Sequence, residues 1–369
     1  MPRTMYYVDP VSGSNGNAGT SDGAAWSTLE FAIANITRDA TNGDQINCKS
    51  NGTHSLAATL NLQSYATDAT ESAPLVIAGY TATADDGGVA DIDCTGFPFI
   101  DDSVFDYLQL RNLDVVGGDA SKIFESDRNT VLLNCYFEQT GGGNNAKFDG
   151  VGSEAWGCHF KGAGASTKYL FEGIGTNGNV YHCLFEELAV ESRGILGIRR
   201  MIGCVVLLNS TATSAGVVSP GSVLAMNNII FNAAASTQSG LNPASGSTLV
   251  DNYIEGYSGT GGKAISCGAV TVLAGNRWFD CETGINVTND YGQHIDNQAV
   301  AGSGLTDAAN GDISLTQYLR DGKGFPQTWR NFDGGFARNV NVGAVQNVYS
   351  AGGGGGGLLV PRGFNGGFF

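Results

Sequence analysis

Three charged residues, Glu138, Lys161 and Glu186, lie at matching positions of a short sequence motif that repeats along this chain. Each copy of this motif is called a phrase below. Carboxylates that meet on neighbouring strands can act as general acid and base, or can hold a divalent cation. Here the sign of the charge alternates from one phrase to the next, and this pattern is typical of a solvated ladder of weak ion pairs. In this alignment no two carboxylates face each other on adjacent strands. The sequence therefore predicts no catalytic residue, no metal site and no cofactor.

Other residues with possible chemistry are few. Asp9 and Asp22 lie in a loop rich in Gly, Ser and Asn, and such a loop is an alternative site for Ca²⁺. Loops of this composition are more often plain turns, so we interpret this one as a turn. His159 and His182 occupy different positions in their phrases, and this difference disfavours a paired role.

The phrases that carry these charges repeat at intervals of 21 to 25 residues. Each holds a Cys or Asn that is followed two places later by a large apolar residue. The Cys/Asn positions are Asn112, Cys135, Cys158, Cys183, Cys204, Asn228, Asn252 and Asn276. A near-constant period with strand-like alternation predicts a stacked coil of short strands, an all-β parallel β-helix. The usual hand of parallel crossovers predicts that the coil is right-handed.

Two apolar columns are expected to point into this coil. One lies two places after the Cys/Asn position. The other lies two places before it, and its predicted members are Leu110, Leu133, Trp156, Tyr181, Ile202, Met226, Val250 and Ala274. These two columns, together with the Cys/Asn positions, predict the core of the protein.

The Cys and Asn residues themselves predict a buried core ladder, formed by Cys135, Cys158, Cys183, Cys204, Asn228, Asn252 and Asn276. Successive strands lie about 4.8 Å apart, slightly too far for the Cβ atoms of a disulfide, which lie roughly 3.5–4.5 Å apart. No CxxC spacing suggests a metal site. We expect stacked, reduced thiols, and we expect the asparagine amides to hydrogen-bond along the stack.

The outward positions carry a second pattern, an apolar face on three consecutive repeats. Its members are Leu184, Val205, Leu207, Ile229 and Phe231. Exposed apolar patches of this size usually mark a partner surface, so we predict an interface of a homo-oligomer, with a trimer favoured. The alternative is that a long loop of the same chain covers the face, and such insertions are uncommon in regular repeats.

Four segments are predicted. Residues 1–45 form a strand, a loop and a capping helix, in which Ser27 and Glu30 make a capping box while Trp26 and Phe31 make a hydrophobic staple. Residues 46–290 form the β-helix, and residues 291–350 a C-terminal cap. Residues 351–369 form an extended glycine-rich tail. Its expected anchoring residues are Leu358, Leu359, Val360, Phe364, Phe368 and Phe369.

A family resemblance adds to this interpretation. The sequence YYVDP at 6–10, the loop at 12–16 and the sequence AWSTL at 25–29 resemble the N-terminal segment of pectate-lyase-like right-handed β-helix proteins. The sequence VGAVQ at 342–346 resembles their common ending, so the resemblance covers roughly residues 5–347. The resemblance implies a right-handed parallel β-helix fold. The activity stays open, because this superfamily includes lyases, hydrolases, epimerases and non-catalytic viral spike and fibre proteins.

Composition narrows the classes of partner. The formal net charge is −16 with only 19 Lys and Arg residues, so a nucleic-acid groove is disfavoured. No apolar run has membrane-spanning length, and the N-terminus lacks the apolar stretch of a signal peptide. Eight cysteines without an export signal suggest folding in a reducing cytoplasm.

The predicted function is therefore a non-enzymatic structural protein of a virus particle, made in the host cytoplasm. A bacteriophage head or tail appendage, or a decoration protein, is the expected setting. The tail would bind other virion proteins, and surface polysaccharide is a further expected partner. One alternative is a polysaccharide lyase or glycoside hydrolase of the superfamily that the chain resembles. A second is a glycan-binding module without turnover.

Overall fold

The structure is a computed structural model, and it describes most of the chain up to residue 307 and three short segments beyond. The described residues are 3–65, 69–102, 105–126, 128–148, 152–162, 169–173, 178–187, 193–211, 215–244, 246–289, 293–303, 305–307, 312–315, 329–330 and 336–337. They fall into two compact units, one within Met1–Lys168 and the other within Tyr169–Pro361. The predicted tail, with Leu358, Leu359, Val360, Phe364, Phe368 and Phe369, lies outside the described residues.

The described part of the first unit contains one α-helix, α1 (Leu29–Asn35), and two 3-10 helices, Asp22–Ala24 and Leu62–Ser64. Its described strands are β1 (Thr4–Val8), β2 (Asp44–Lys49), β3 (His54–Ser55), β4 (Leu75–Tyr80), β5 (Ala90–Thr95), β6 (Ile100–Asp102), β7 (Leu108–Arg111), β8 (Leu113–Gly118), β9 (Lys122–Ser126), β10 (Val131–Leu133), β11 (Tyr136–Gln139), β12 (Asn144–Phe148), β13 (Glu154–Trp156) and β14 (His159–Gly162).

The described part of the second unit consists of strands. These are β15 (Phe171–Gly173), β16 (Gly178–Tyr181), β17 (Leu184–Glu187), β18 (Ile195–Leu196), β19 (Ile198–Ile202), β20 (Val205–Leu208), β21 (Val217–Ser219), β22 (Leu224–Met226), β23 (Ile229–Asn232), β24 (Ser239–Pro243), β25 (Ser247–Val250), β26 (Tyr253–Tyr257), β27 (Lys263–Ala274), β28 (Arg277–Cys281), β29 (Thr283–Asn289), β30 (Gln293–Ile295), β31 (Gln298–Ala299), β32 (Leu305–Asp307), β33 (Asp312–Leu315), β34 (Trp329–Arg330) and β35 (Phe336–Ala337).

In each unit, successive turns of the coil contribute parallel strands to three sheets, here called A, B and C. In the first unit β2, β4, β7 and β10 succeed one another in sheet A, β5, β8, β11 and β14 in sheet B, and β6, β9 and β12 in sheet C. In the second unit β19, β22 and β25 run through sheet A, and β20, β23, β26 and β28 through sheet B. This order confirms the predicted all-β parallel β-helix.

The turn from sheet A to sheet B fixes which side chains point inward. The residue at this turn has a left-handed backbone, with φ of 53° at Asn112, 52° at Asn134 and 60° at Gly157. Because that residue interrupts the alternation, the side chain before the turn and the side chain after it do not share a face.

The second predicted inward column is therefore wrong for four of its eight members, while Leu110, Tyr181, Val250 and Ala274 are buried. Leu133, Trp156, Ile202 and Met226 point outward and are half-buried. The residues that fill the core lie one place earlier in each repeat. They are Leu132, Ala155, Val180, Met201, Ala225, Leu249 and Leu273.

The first repeat also needs a correction of one residue. Asn112 is equivalent to the turn residue Asn134, and Leu113 takes the column position of Cys135. Asp114 then lies beside Tyr136 on the outward face, while Val115 lies beside Phe137 in the core. This shift decides where the acidic side chains of the first unit meet.

The ladder residues are buried, and the cysteines are free. In the second unit the Asn228 amide donates to Asn252 Oδ1 at 2.8 Å, and the Asn252 amide donates to Asn276 Oδ1 at 2.9 Å. Each amide also donates to a backbone carbonyl 27 residues earlier in the chain. Cys204 makes the corresponding contacts through sulfur, because its Sγ accepts from the Cys183 amide at 3.4 Å. Every rung of this ladder satisfies polar groups that have no access to water.

Replacing Asn252 tests the ladder. Asn252→Leu should lower the free energy of unfolding by on the order of 3 kcal/mol, because it leaves several buried donors and acceptors unsatisfied. Asn252→Cys should cost clearly less, since sulfur already fills this column at Cys204. Urea unfolding of both variants is the measurement, and equal losses would mean that shape alone matters at this position.

The N-terminal end of the first unit is covered by α1, which buries Leu29 and Ile33. The helix begins one residue later than predicted, because the Thr28 side chain caps it by accepting from the Phe31 amide at 3.3 Å. The capping box at Ser27 is therefore wrong, although the rings of Trp26 and Phe31 do touch. No helix among the described residues is long and apolar enough to span a membrane.

Candidate functional site

The outward side chains of sheet B in the first unit form a polar surface that we call the acidic face. Its members are Asp91, Asp93, Asp114, Val116, Tyr136, Glu138, His159 and Lys161, carried by β5, β8, β11 and β14. The strands present these residues because their alternate side chains fill the core. Ile92, Val115, Phe137 and Phe160 are each at most 1% exposed.

Two columns cross the acidic face. Asp91, Asp114, Tyr136 and His159 follow one another on successive strands, and Asp93, Val116, Glu138 and Lys161 form the parallel column two residues along. Asp91 is exposed, and the rest of the first column is half-buried. The first column therefore places two carboxylates directly opposite each other on adjacent strands.

Glu138 is the most constrained acid of this surface. The Tyr136 hydroxyl donates to its Oε2, and the Lys161 ammonium lies 3.4 Å from its Oε1. Tyr136 in turn contacts His159 edge to face, with ring centroids 4.9 Å apart. Glu138 is thus held in place by a hydroxyl and an ammonium beside a Tyr–His aromatic surface.

The other acids of the face differ in their surroundings. The Asp93 Oδ1 atom accepts from the Thr95 amide at 3.0 Å and from the Thr95 hydroxyl at 2.7 Å, so this carboxylate caps a turn. Asp91 is exposed, and Asp114 lies half-buried between Asp91 and Tyr136. Asp93, Asp114 and Glu138 are all half-buried, and because Asp93 is engaged by the turn at Thr95, Asp114 and Glu138 are the candidate acids of this face.

This pairing is hidden in the sequence when Asn112 is aligned with the Cys column. A signal was present, since asparagine is several-fold enriched in left-handed backbone and both Asn112 and Asn134 precede a strand. Aligning these two residues would have placed Asp114 beside Tyr136. The expectation that no two carboxylates face each other on adjacent strands is therefore wrong for Asp91 and Asp114.

A second charged group lies on the outer side of sheet C in the first unit. Lys122 pairs with Asp101 at 2.9 Å and with Glu125, and Lys147 pairs with the other oxygen of Glu125. Glu125 is 4% exposed. Both of its oxygens already bind an ammonium, so this network is suited to joining strands and poorly suited to acid–base chemistry.

The two aspartates of the loop considered above as an alternative Ca²⁺ site bind the ammonium group of a lysine. The Lys49 ammonium lies 2.7 Å from Asp22 and 3.5 Å from Asp9. Hydrogen bonds from Lys49 and Tyr80 lower the pKa of Asp22. Among the residues that the structure describes, no group of three or more His, Cys, Asp or Glu side chains has the arrangement of a metal site.

The predicted apolar interface in the second unit is not an exposed surface. Its members are at most 7% exposed, and they form one cluster with Tyr253, Val300 and Leu305. The members are Leu184, Val205, Leu207, Ile229 and Phe231. The prediction of exposure is wrong because residues of the same unit pack over the face, which was the less favoured alternative.

The segment that carries Val300 and Leu305 over the apolar face is held in place by a buried acid, Glu255. Ser303 Oγ donates to Glu255 Oε2 at 2.9 Å, and the Tyr253 hydroxyl donates to the same oxygen at 2.5 Å. Burial raises the pKa of Glu255, while these two hydrogen bonds oppose the shift. The same Tyr-x-Glu pair therefore occurs in both units, half-buried at Tyr136 and Glu138 and buried at Tyr253 and Glu255.

Comparison with known proteins gives few relatives. No protein-family model and no curated protein matches this sequence. The solved structures that are similar include a GH136 lacto-N-biosidase from Eubacterium ramulus, with 9% identity, a TM-score of 0.44, and coverage of 80% of this chain and 68% of that one. A deglycosylated pectin methylesterase from Aspergillus niger has 10% identity, a TM-score of 0.37, and coverage of 85% and 94%. By the order and register of its own strands, this chain is a parallel β-helix.

Proposed function

We propose that the protein hydrolyses a glycosidic bond of a polysaccharide at the acidic face, with Asp114 as general acid and Glu138 as general base. The observation that carries this proposal is the corrected register of β8. It sets Asp114 directly beside Tyr136, and Tyr136 donates a hydrogen bond to Glu138. The three side chains share one solvent-accessible side of sheet B.

The spacing of the two acids suits one stereochemical class. Adjacent strands lie about 4.8 Å apart and two residues along a strand cover about 6.6 Å, so the Cβ atoms of Asp114 and Glu138 are roughly 8 Å apart. Inverting glycosidases hold their two carboxyl groups about 6.5–9.5 Å apart, which leaves room for a water molecule. Asp91 and Asp114, at about 4.8 Å, match the retaining spacing of roughly 5–5.5 Å instead.

The surroundings favour Glu138 as the base. Its carboxylate accepts a hydrogen bond from the Tyr136 hydroxyl and lies 3.4 Å from the Lys161 ammonium, so it is positioned to receive the proton of a water molecule. Asp114, the half-buried acid on the neighbouring strand beside Tyr136, takes the role of the acid. It gives its proton to the leaving oxygen as the glycosidic bond breaks. The water attacks the opposite face of the sugar and passes its proton to Glu138, and exchange with solvent restores both groups.

The rings beside the two acids provide a surface for the sugar. Tyr136 and His159 present adjoining edges and faces on successive strands, and both are half-buried. Aromatic side chains combine a large apolar area with a polar tip, so such a surface can contact the C–H groups of a pyranose while the carboxylates reach its oxygens.

The test is an incubation of the full-length protein with a panel of neutral, amino-sugar and uronate polysaccharides. The expected result is the release of reducing ends, with the anomeric configuration inverted in the first product detected by NMR. If the anomeric configuration were retained in the first product, the catalytic partner of Asp114 would be Asp91 and not Glu138. Unsaturated products, or binding without any release, would overturn the proposal in favour of a lyase or of a glycan-binding module.

The role in a virus particle stays a prediction from the sequence. One ground for it was an exposed apolar face, and that face is buried within the second unit. The other ground is the glycine-rich, aromatic end of the chain at 351–369, and this segment lies outside the described residues. Trimer formation and binding to other virion proteins likewise remain predictions.

A further inference from the structure

One stretch of the second unit differs in charge from the rest of the chain. Residues 192–250 hold none of the 35 Asp and Glu residues and three of the 19 Lys and Arg residues, namely Arg193, Arg199 and Arg200. This stretch carries the strands from β18 to β25. In a chain of formal net charge −16, it is therefore a region in which an anionic ligand meets little repulsion.

A β-bulge presents two of these arginines together. The register of β16 against β19 shifts by one residue just before Asn179 pairs with Arg200, so Arg199 is the extra residue. Neighbouring residues of a regular strand point to opposite sides of the sheet. Here Arg199 and Arg200 are both exposed, while Ile198 before them and Met201 after them are buried. The bulge thus re-aims one side chain and brings two guanidinium groups to the same surface.

The outer side of sheet A beside the two arginines is mainly apolar. Arg200 lies beside Leu224 on β22, and Ile202 lies beside Met226. The three apolar side chains are half-buried, so each keeps part of its surface in contact with solvent. Thr248 follows Leu224 in register and is half-buried as well. Apolar side chains next to a hydroxyl and two guanidinium groups suit a sugar ring, which carries C–H groups between polar substituents.

Carboxylates are kept away from this side of sheet A. The strands that succeed one another there are β16, β19, β22, β25 and β27, and none of them contains Asp or Glu. One acid borders the region on sheet C, where Glu172 lies beside Leu196 in register. The left-handed turn at Gly197 separates that strand from β19. The two arginines therefore lie on a sheet face whose own strands bring no competing carboxylate.

We propose that Arg199 and Arg200 form a binding site for an anionic group of a polysaccharide, either a carboxylate or a sulfate ester. Each guanidinium presents a planar fork of N–H donors that matches two oxygens of such a group, and charge-assisted hydrogen bonds are stronger than neutral ones. Ile202, Leu224 and Met226 contact the sugar ring that carries the group. The site acts by binding alone, and it is independent of the hydrolysis proposed for the first unit.

A polysaccharide fits this surface better than a nucleic acid does. Binding to a nucleic acid depends on neutralising many closely spaced phosphates, and three arginines in a chain of net charge −16 supply few partners for them. A glycan that carries separate anionic groups needs one pair of arginines for one group. Its neutral parts can then lie on the apolar side chains of the same face.

Binding of the full-length protein to three dextrans that share one backbone tests the proposal. Carboxymethyl dextran and dextran sulfate should bind at low salt, and unmodified dextran should bind at least about tenfold more weakly because it lacks the charged acceptors. Physiological salt should weaken binding to both anionic forms, since it screens exposed charges. The form that binds more tightly identifies the anionic group. Equal binding of all three dextrans, no binding of any, or tighter binding of a DNA oligonucleotide would overturn the proposal.

A double variant locates the contact. Arg199→Gln together with Arg200→Gln should weaken binding to the anionic dextrans by at least about tenfold, since the charge-assisted contacts are lost. Arg128→Gln is the matched control, because it removes a positive charge from an exposed arginine of the first unit and should leave the affinity unchanged. Urea unfolding of each variant should match the wild type, because all three side chains are exposed. An equal loss of affinity in the control and in the double variant would contradict a site at the bulge.

Discussion

Asp114→Asn should lower kcat by about 10²–10⁴-fold, the usual contribution of a general acid, on any polysaccharide for which the panel detects the proposed hydrolysis. The substitution keeps the shape of the side chain and removes the proton that the leaving oxygen needs. KM should change little, because the amide can still hydrogen-bond to the sugar. The limb of the pH–rate profile on which the acid loses its proton should disappear as well, and a merely structural role would not have this effect.

Two further variants test whether the loss of activity is specific to the acidic face. Glu138→Gln should cause a similar loss on the opposite limb of the pH–rate profile, because the base is then missing. Asp101→Asn is the matched control, since this aspartate lies on sheet C of the same unit and pairs with Lys122. If Asp114→Asn and Asp101→Asn retain the same activity, the acidic face is not the site of hydrolysis.

Phe231→Asp should lower the free energy of unfolding by about 3–5 kcal/mol, the range typical of removing a buried phenylalanine. Phe231 is 7% exposed and shares a cluster with Leu207 and Leu305. A carboxylate at this place would lose its hydration without gaining a partner, so the true cost should lie at the upper end of that range. The measurement is urea unfolding, monitored together with the mass in light scattering.

The outcome separates two accounts of the apolar face. The sequence alone predicts a face between copies, for which Phe231→Asp would leave the fold intact and lower the oligomeric mass. The structure predicts a loss of stability at unchanged mass of the folded protein. Phe231→Leu is the control, and it should cost less than about 1.5 kcal/mol because the site stays apolar and nearly filled. A stable Phe231→Asp protein of reduced mass would mean that the face is an interface after all.

Much of the fold could be predicted from the repeat alone. A Cys or Asn recurs every 21 to 25 residues with an apolar residue two places later, and both side chains must be buried in any stacked arrangement of strands. The outward columns of sheet B also follow from this alternation. Tyr136 lies beside His159 and Glu138 beside Lys161, as the shared phrase requires.

The candidate site could not be predicted in the same way. One left-handed residue at the turn from sheet A to sheet B shifts the inward side of the preceding strand by one place, as Leu132 and Leu133 illustrate. The first repeat lacks cysteine, so its register depends on recognising Asn112 as such a turn residue. A slip of one position moves a side chain to the other face of a sheet, and it was this slip that separated Asp114 from Tyr136.

The amino-acid sequence by itself determined the coil of parallel strands, its buried ladder and its outward columns, because local alternation and period depend only on neighbouring residues. The tertiary structure decided what lies beside each outward face. The face at Leu207 and Phe231 has the same pattern whether it meets solvent, a partner or its own chain, and only the fold places Val300 and Leu305 upon it. The acidic face, likewise, exists because β5, β8 and β11 stack in a register that hydrogen bonds between distant segments select.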